Sequence, residues 1–131
     1  MQRQATISLR SDLYQEVTSI VDFEYGDDLA LDELATRVAS SRRQLQRAFA
    51  EIGHTTFRDY LTAVRMDRAA EMLVETDLTV REVAHSVGYR QPAQFAKAFR
   101  RRHSQAPSDF RAHSLRFSAH GSVRAPAATA A

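Results

Sequence analysis

Apolar positions recur at helical spacing from about residue 11 to residue 112, and strictly alternating stretches are nearly absent, which predicts an all-α fold. "SDLYQEVTSIVDFEY" predicts a first helix, with Ser11 as its N-cap, Leu13, Val17, Ile20 and Val21 as its stripe, and Gly26 as its end. "LALDELATRVA" predicts a short second helix, and "SRRQLQRAFAEIG" a third, capped by Ser41 and stopped by Gly53. "TTFRDYLTAVRMDRAAEMLVET" predicts the longest helix. Its Phe57, Leu61 and Val64 form one stripe, and Met66, Ala69, Ala70 and Leu73 form a second, rotated one, so it is placed to pack against one lobe and then another. "LTVREVAHSVG" and "GYRQPAQFAKAFRRRH" predict two more helices, and "APSDFRAH" begins a seventh. Pro92 falls in the first turn of the sixth, where its missing N–H costs nothing.

The pattern occurs twice. At an offset of 49, Leu34 meets Val83, Ala35 meets Ala84 and Val38 meets Val87. Past the turn the offset becomes 50, so Leu45 meets Phe95, Arg47 meets Lys97 and Phe49 meets Phe99. Each copy is a short helix with a small alanine in its middle, a tight turn, and a second helix carrying an inward aromatic. Alanine there lets two helices cross closely, as a helix-turn-helix requires.

At about 100° per residue, Leu45 and Phe49 point inward from the third helix, and Arg43, Arg47 and Ala50 point away, with Gln46 flanking. In the sixth helix Phe95 and Phe99 point inward. Opposite them are Ala93, Lys97 and Arg100, flanked by Gln94, Ala96 and Arg101. The phenylalanines anchor the helix and leave its other side basic and amide-bearing. Arginine presents a planar fork to guanine, glutamine bonds bidentately to adenine, and lysine or arginine neutralises phosphate. Ser41 and Thr79 each begin a helix whose N–H groups suit a phosphate oxygen.

Charge sharpens this picture. Residues 1–39 hold three arginines against eight acids, whereas residues 40–131 hold fifteen Lys+Arg against eight acids. A basic majority beside an acidic end fits a chain that meets a polyanion on one face. With no cysteine, disulfides, thiolate nucleophiles and cysteine-ligated metals are excluded. His54, His85, His103, His113 and His120 are scattered without metal-ligand spacing, and no carboxylate cluster points to acid–base catalysis, so neither an enzyme nor a metal or other cofactor is expected. The start "MQRQATISLR" lacks a signal-peptide core and no apolar run reaches membrane-spanning length, so a cytoplasmic protein without membrane contact is expected.

In order and spacing, "LQRAF" with a glycine four residues on, "YL…R", "VA…VGY", "F…AF" and the closing "PSDFR" resemble the DNA-binding domain of the AraC/XylS family of bacterial transcription regulators, over roughly residues 11–112. The resemblance implies seven helices: two helix-turn-helix lobes, each a homeodomain-like three-helix unit, joined by a long linker helix. It divides the chain into a flexible 1–10, a first lobe 11–54, the linker 55–76, a second lobe 77–112 and a disordered tail 113–131. Helices three (about 42–51) and six (about 92–102) are then expected to enter successive major-groove segments about 34 Å apart. The family's base-contacting positions carry over onto Arg43, Gln46 and Arg47, and onto Gln91, Gln94, Ala96 and Lys97. Phosphate contacts are expected from Ser41, Arg42, Thr79, Arg90, Arg100 and Arg101, with Arg102 alongside them. Arg65 is expected to make an internal ion pair or a bond between lobes.

The chain departs from the family pattern in places. Ala39 and Ser40 stand where a glycine–apolar pair is usual, Ala93 where a polar residue is common, and Ser104 where a glycine commonly ends helix six. A left-handed cap at Ser104 would cost about 1 kcal/mol. The chain resembles the stand-alone MarA/SoxS type, which implies a monomeric, sequence-specific regulator of double-stranded DNA, an activator that touches RNA polymerase. The alternative is a helix-turn-helix module for protein interaction with only non-specific DNA affinity.

Overall fold

The computed structural model describes residues 2–120, with side chains placed for 5–116. The described residues form seven helices and no strand: α1 (Gln2–Glu24), α2 (Leu31–Arg37), α3 (Arg42–Glu51), α4 (Phe57–Glu75), α5 (Val80–Ser86), α6 (Pro92–His103) and α7 (Pro107–His120). α1 runs back to Gln2, so Ser11 lies inside the helix rather than capping it, and the lead-in expected to be flexible is helical from residue 2. No glycine or proline interrupts residues 2–10, and Arg10 on this extension pairs with Glu51 of α3. α7 likewise continues into the stretch expected to be disordered, because nothing in 108–120 breaks a helix. The rest of that expectation, 121–131, lies outside the described residues.

The chain divides into two compact units, Met1–Arg65 and Met66–Ala131. The change of stripe along α4 falls at that boundary: Leu61 is buried in the first unit, and Met66, Ala69 and Leu73 are buried in the second. In the first unit, Val17 and Val21 of α1 pack with Leu34 and Ala35 of α2, Leu45 and Phe49 of α3, and Leu61. Tyr14 meets Phe49 edge-on with centroids 5.2 Å apart and lies so close to Gly53 that a Cβ there would come within 2.5 Å of its ring. Gly53 is therefore needed for space. The left-handed residue after α3 is His54, at φ 53°. The Tyr60 hydroxyl donates to Asp22 Oδ1 at 2.9 Å, and burial, reinforced by that bond, pushes its pKa up to about 12. In the second unit Phe95 and Phe99 are fully buried with Val83, Ala84 and Val87, and Phe110 of α7 stands edge-on to Phe99 at 5.3 Å. Removing either phenylalanine ring costs about 3–5 kcal/mol.

Each unit closes with an arginine. Arg65 Nε donates to the Tyr25 carbonyl at 2.7 Å and its terminal nitrogen to the Asp27 carbonyl at 2.8 Å. Those bonds lie within the first unit, at the end of α1, where carbonyls lack helical partners. Arg111 of α7 does the same at the end of α4, donating to Leu73 at 2.9 Å and Thr76 at 3.2 Å.

The two helix-turn-helix turns repeat in hydrogen-bonding detail. Ala39 N–H donates to Thr36 and Ser40 N–H to Ala35, at 3.1 and 2.8 Å, matched by Gly88 to His85 and Tyr89 to Ala84 at 3.0 and 2.9 Å. Both turns pass through a positive φ, 53° at Ala39 and 97° at Gly88. Replacing the usual glycine by Ala39 has therefore kept the turn, at a steric cost of about 1–2 kcal/mol. Ser104 also adopts the left-handed cap, at φ 65°. Ala39→Gly is expected to stabilise the protein by up to about 1 kcal/mol, because relief of that clash exceeds the added chain entropy, and Gly88→Ala to destabilise it by about 1 kcal/mol or more. Denaturant titration of the two variants checks the opposite signs.

Candidate nucleic-acid interface

α3 begins where Ser41, in an extended conformation, accepts the Gln44 N–H on its hydroxyl at 3.2 Å. Because Leu45, Ala48 and Phe49 are buried, the opposite side of the helix is fixed outward. Arg43, Gln46 and Arg47 are all exposed there, and none has a side-chain partner among the described residues. Such a row can meet a base edge without first breaking a bond. Arg42, expected to reach phosphate, is shared: it lies 3.3 Å from Asp32 of α2, with both groups exposed.

α6 starts differently. Its N-cap, Gln91, makes no side-chain cap bond and leaves its amide exposed, while its carbonyl accepts from Gln94 and Phe95. Burial of Phe95 and Phe99 turns Ala93, Gln94, Lys97, Arg100 and Arg101 outward. Ala96 is half-buried and offers only a methyl edge. Gln94, Lys97, Arg100 and Arg101 have no partner among the described residues, and neither does exposed Arg90 in the turn.

Arg102 does not belong with its two neighbours. It donates to both Asp67 oxygens, at 2.8 and 2.9 Å, so it ties α6 to α4 instead of facing outward to phosphate. His103 completes the tie: its Nε2 is 3.2 Å from the Met66 carbonyl and its ring centroid 4.6 Å from that of Phe99. Of the two expected helix-start phosphate positions, Thr79 sits in a reciprocal capping box, accepting the Glu82 N–H at 3.0 Å and donating its own N–H to the Glu82 carboxylate at 2.8 Å. That carboxylate stands beside the helix start, which disfavours a phosphate more than the neutral Ser41 cap of α3 does.

Two exposed cations that line grooves were not singled out from the sequence. Arg58 shares a groove with Arg42 and Gln46, and Arg81 lines another with Arg90 and Pro92. The repeat held a signal for Arg81, since the offset of 49 places it opposite acidic Asp32. Among the described residues no cluster of histidines and carboxylates could hold a metal ion, and no helix is long and apolar enough to cross a membrane.

Residues 34–113 match the protein family described as a helix-turn-helix domain. SoxS of Escherichia coli K12, a regulatory protein, is 30% identical over 99 residues, covering 76% of this chain and 92% of its own. The Msm operon regulatory protein of Streptococcus mutans is also 30% identical, over 73% of this chain; here the chain spans only 34% of the relative's length. Among solved structures, the DNA-binding domain of AdpA, a global transcriptional factor in complex with a target DNA, superposes with a TM-score of 0.74 at 27% identity, covering 82% of this chain and 94% of that one. The two relatives are regulatory proteins, and the AdpA structure is the DNA-binding domain of a transcriptional factor whose fold this chain shares.

The Asp67–Arg102 tie gives the α6 framework a pH signature. Hydrogen bonding from Arg102 holds the Asp67 carboxyl below the usual carboxylate range, against partial burial and with help from the Arg102 charge and His103. A depressed carboxylate contributes stability above its unfolded pKa, about 4, and loses it as pH falls through the folded value. Asp67→Asn is expected to lower stability at pH 7 by about 1 kcal/mol or less, given its exposure, and by progressively less below pH 4. Thermal melts of both proteins across pH 3–7 (~4 units of range) check this, and a constant difference would contradict it.

Proposed function

From the premise that the chain belongs to the AraC/XylS-type helix-turn-helix family of transcription-regulator DNA-binding domains, we propose that it is a monomeric, sequence-specific activator that places α3 and α6 in successive major-groove segments of duplex DNA. The observation that carries this reading is the outward row of Arg43, Gln46 and Arg47 on α3, exposed and unpartnered, backed by buried Leu45 and Phe49. In this reading Arg43 and Arg47 read guanines and Gln46 an adenine. Gln91, Gln94 and Lys97 make the lesser base contacts of the second lobe, with Ala96 touching a thymine methyl. Ser41, Arg42, Arg90, Arg100 and Arg101 grip phosphate, and Thr79, whose helix start is taken by the Glu82 carboxylate, contributes least. α3 carries most of the discrimination, because α6 presents Ala93 and Ala96 where hydrogen-bonding groups would read bases.

Those two alanines also favour the second reading, a protein-interaction module whose DNA affinity is non-specific. Selection from random duplexes by the purified chain, at low and near-physiological salt, separates the two. The activator reading expects an asymmetric motif of about two helical turns, whose strongest bases are lost with Arg43→Ala or Arg47→Ala at about 1–3 kcal/mol each, and are relaxed less by Gln94→Ala. No motif, with binding that collapses as salt rises, supports the module instead.

The activator part of the proposal rests on α1. Asp12, Glu16 and Phe23 are exposed on this helix, with Phe23 at 90% exposure, and they form an acidic and aromatic face suited to RNA polymerase. Phe23→Ala is expected to leave DNA affinity within twofold, while lowering transcription by purified polymerase about tenfold, the equivalent of a 1.4 kcal/mol contact. Equal transcription by both proteins would remove α1 from the polymerase contact.

A further inference from the structure

Beside α3, within the first unit, lies a groove of about 440 Å³. Its floor is apolar, made by half-buried Leu31 and Phe57, and its rim carries Arg42, Gln46, Thr56 and Arg58. None of its lining residues is acidic. Such a surface fits a ligand that is apolar on one side and anionic on the other. A deoxyribose–phosphate strand has that character at every nucleotide, with a sugar face beside each charged phosphate.

We propose that this groove seats the backbone of one DNA strand flanking α3, with Arg58 as its phosphate-gripping residue. The proposal rests on the reading of α3 as the base-reading helix, since Gln46 belongs to both surfaces. Arg58 is exposed and has no partner among the described residues, so its charge is available. Arg42 on the same rim is already shared with Asp32, which leaves Arg58 as the uncommitted cation. The Thr56 hydroxyl accepts the Asp59 N–H at 3.0 Å, and the Asp59 carboxylate in that first turn leaves the phosphate contact to Arg58 rather than to the helix start.

The internal repeat shows that the fold does not require a cation here. At the offset of 50, Arg58 of α4 corresponds to Ser108 of α7, and Phe57 to Pro107 at the matching helix start. The second unit builds the same corner with a small neutral residue. The charge at Arg58 is therefore a property of the first unit alone, on the side where the base-reading row lies. A phosphate contact positions the protein on the duplex without reading sequence, and one held beside α3 would fix how deeply Arg43 and Arg47 enter the groove.

The test compares the full chain with Arg58→Ala and Asp32→Asn on two duplexes, one bearing the selected motif and one scrambled, by fluorescence anisotropy across a salt series. Circular dichroism confirms that the exposed-site variants fold. Arg58→Ala is expected to weaken both duplexes by the same factor, about tenfold at low salt, and to reduce the slope of log affinity against log salt by about 0.9. Asp32→Asn releases Arg42 and is expected to strengthen both. Neutral methylphosphonate linkages are then placed one at a time along the motif. One linkage should weaken the parent chain yet leave Arg58→Ala unaffected, which locates the phosphate. An unchanged slope, a loss confined to the motif, or the lack of any such linkage would overturn the proposal. Failure of base reading by α3 would appear separately, as an absence of preference between the duplexes in the parent chain. The slope comparison on the scrambled duplex still judges Arg58.

Discussion

One constraint governs the arrangement of this domain: the aromatic ring on the second helix of each turn and the small alanine on the first must both be buried. Phe49 and Phe99 are fully buried, and Ala35 and Ala84 are almost so. A larger side chain at either alanine would push the helices apart, and a smaller one at either phenylalanine would leave a void that close-packed interiors do not tolerate. With the inward side of α3 and α6 fixed, the outward side follows at helical spacing. The exposed arginines, lysine and glutamines are held in position by groups they never touch.

The repeat was legible because hydrophobic spacing is a property of the chain itself. The extents of α3, α4 and α6 and the shift of stripe between Leu61 and Met66 follow from periodicity, whereas the left-handed cap at Ser104 was implied by the family resemblance. The polar ties were not legible. Arg100, Arg101 and Arg102 are indistinguishable in sequence, yet the third has swung to Asp67, and only the tertiary arrangement of α4 beside α6 decides that. Arg65 was singled out as structural, but its acceptors are main-chain carbonyls, which every residue carries and no pattern advertises. The start of α1 was misplaced for a related reason. Ser11 is a good cap and a tolerable helix residue, and the preceding segment holds no breaker to choose between them.

The two units share a turn but differ in the chemistry laid over it. The first unit starts its outward-facing helix with a Ser41 cap and carries Asp32 on α2, whereas the second starts α6 with proline and an uncommitted Gln91 and carries Arg81 in the matching place on α5. α3 displays two guanidinium forks and an amide, while α6 places its cations mostly toward its last turn, where they also complement the helix dipole. The outward sides therefore differ in composition, Arg43, Gln46 and Arg47 on α3 against Gln94, Lys97, Arg100 and Arg101 on α6, a difference that backbone geometry alone does not carry.

The arginine closures make each half answer for its own integrity. Arg65 binds the end of α1 and Arg111 the end of α4, so each half draws the cation that seals its first helix from its own last one. At the repeat offset of 50, Arg65 falls opposite Leu115 and Arg111 opposite Leu61, so the two halves reach the same kind of seal from different positions. Loss of either guanidinium would unseat carbonyls in one half and leave the other half's bonds in place.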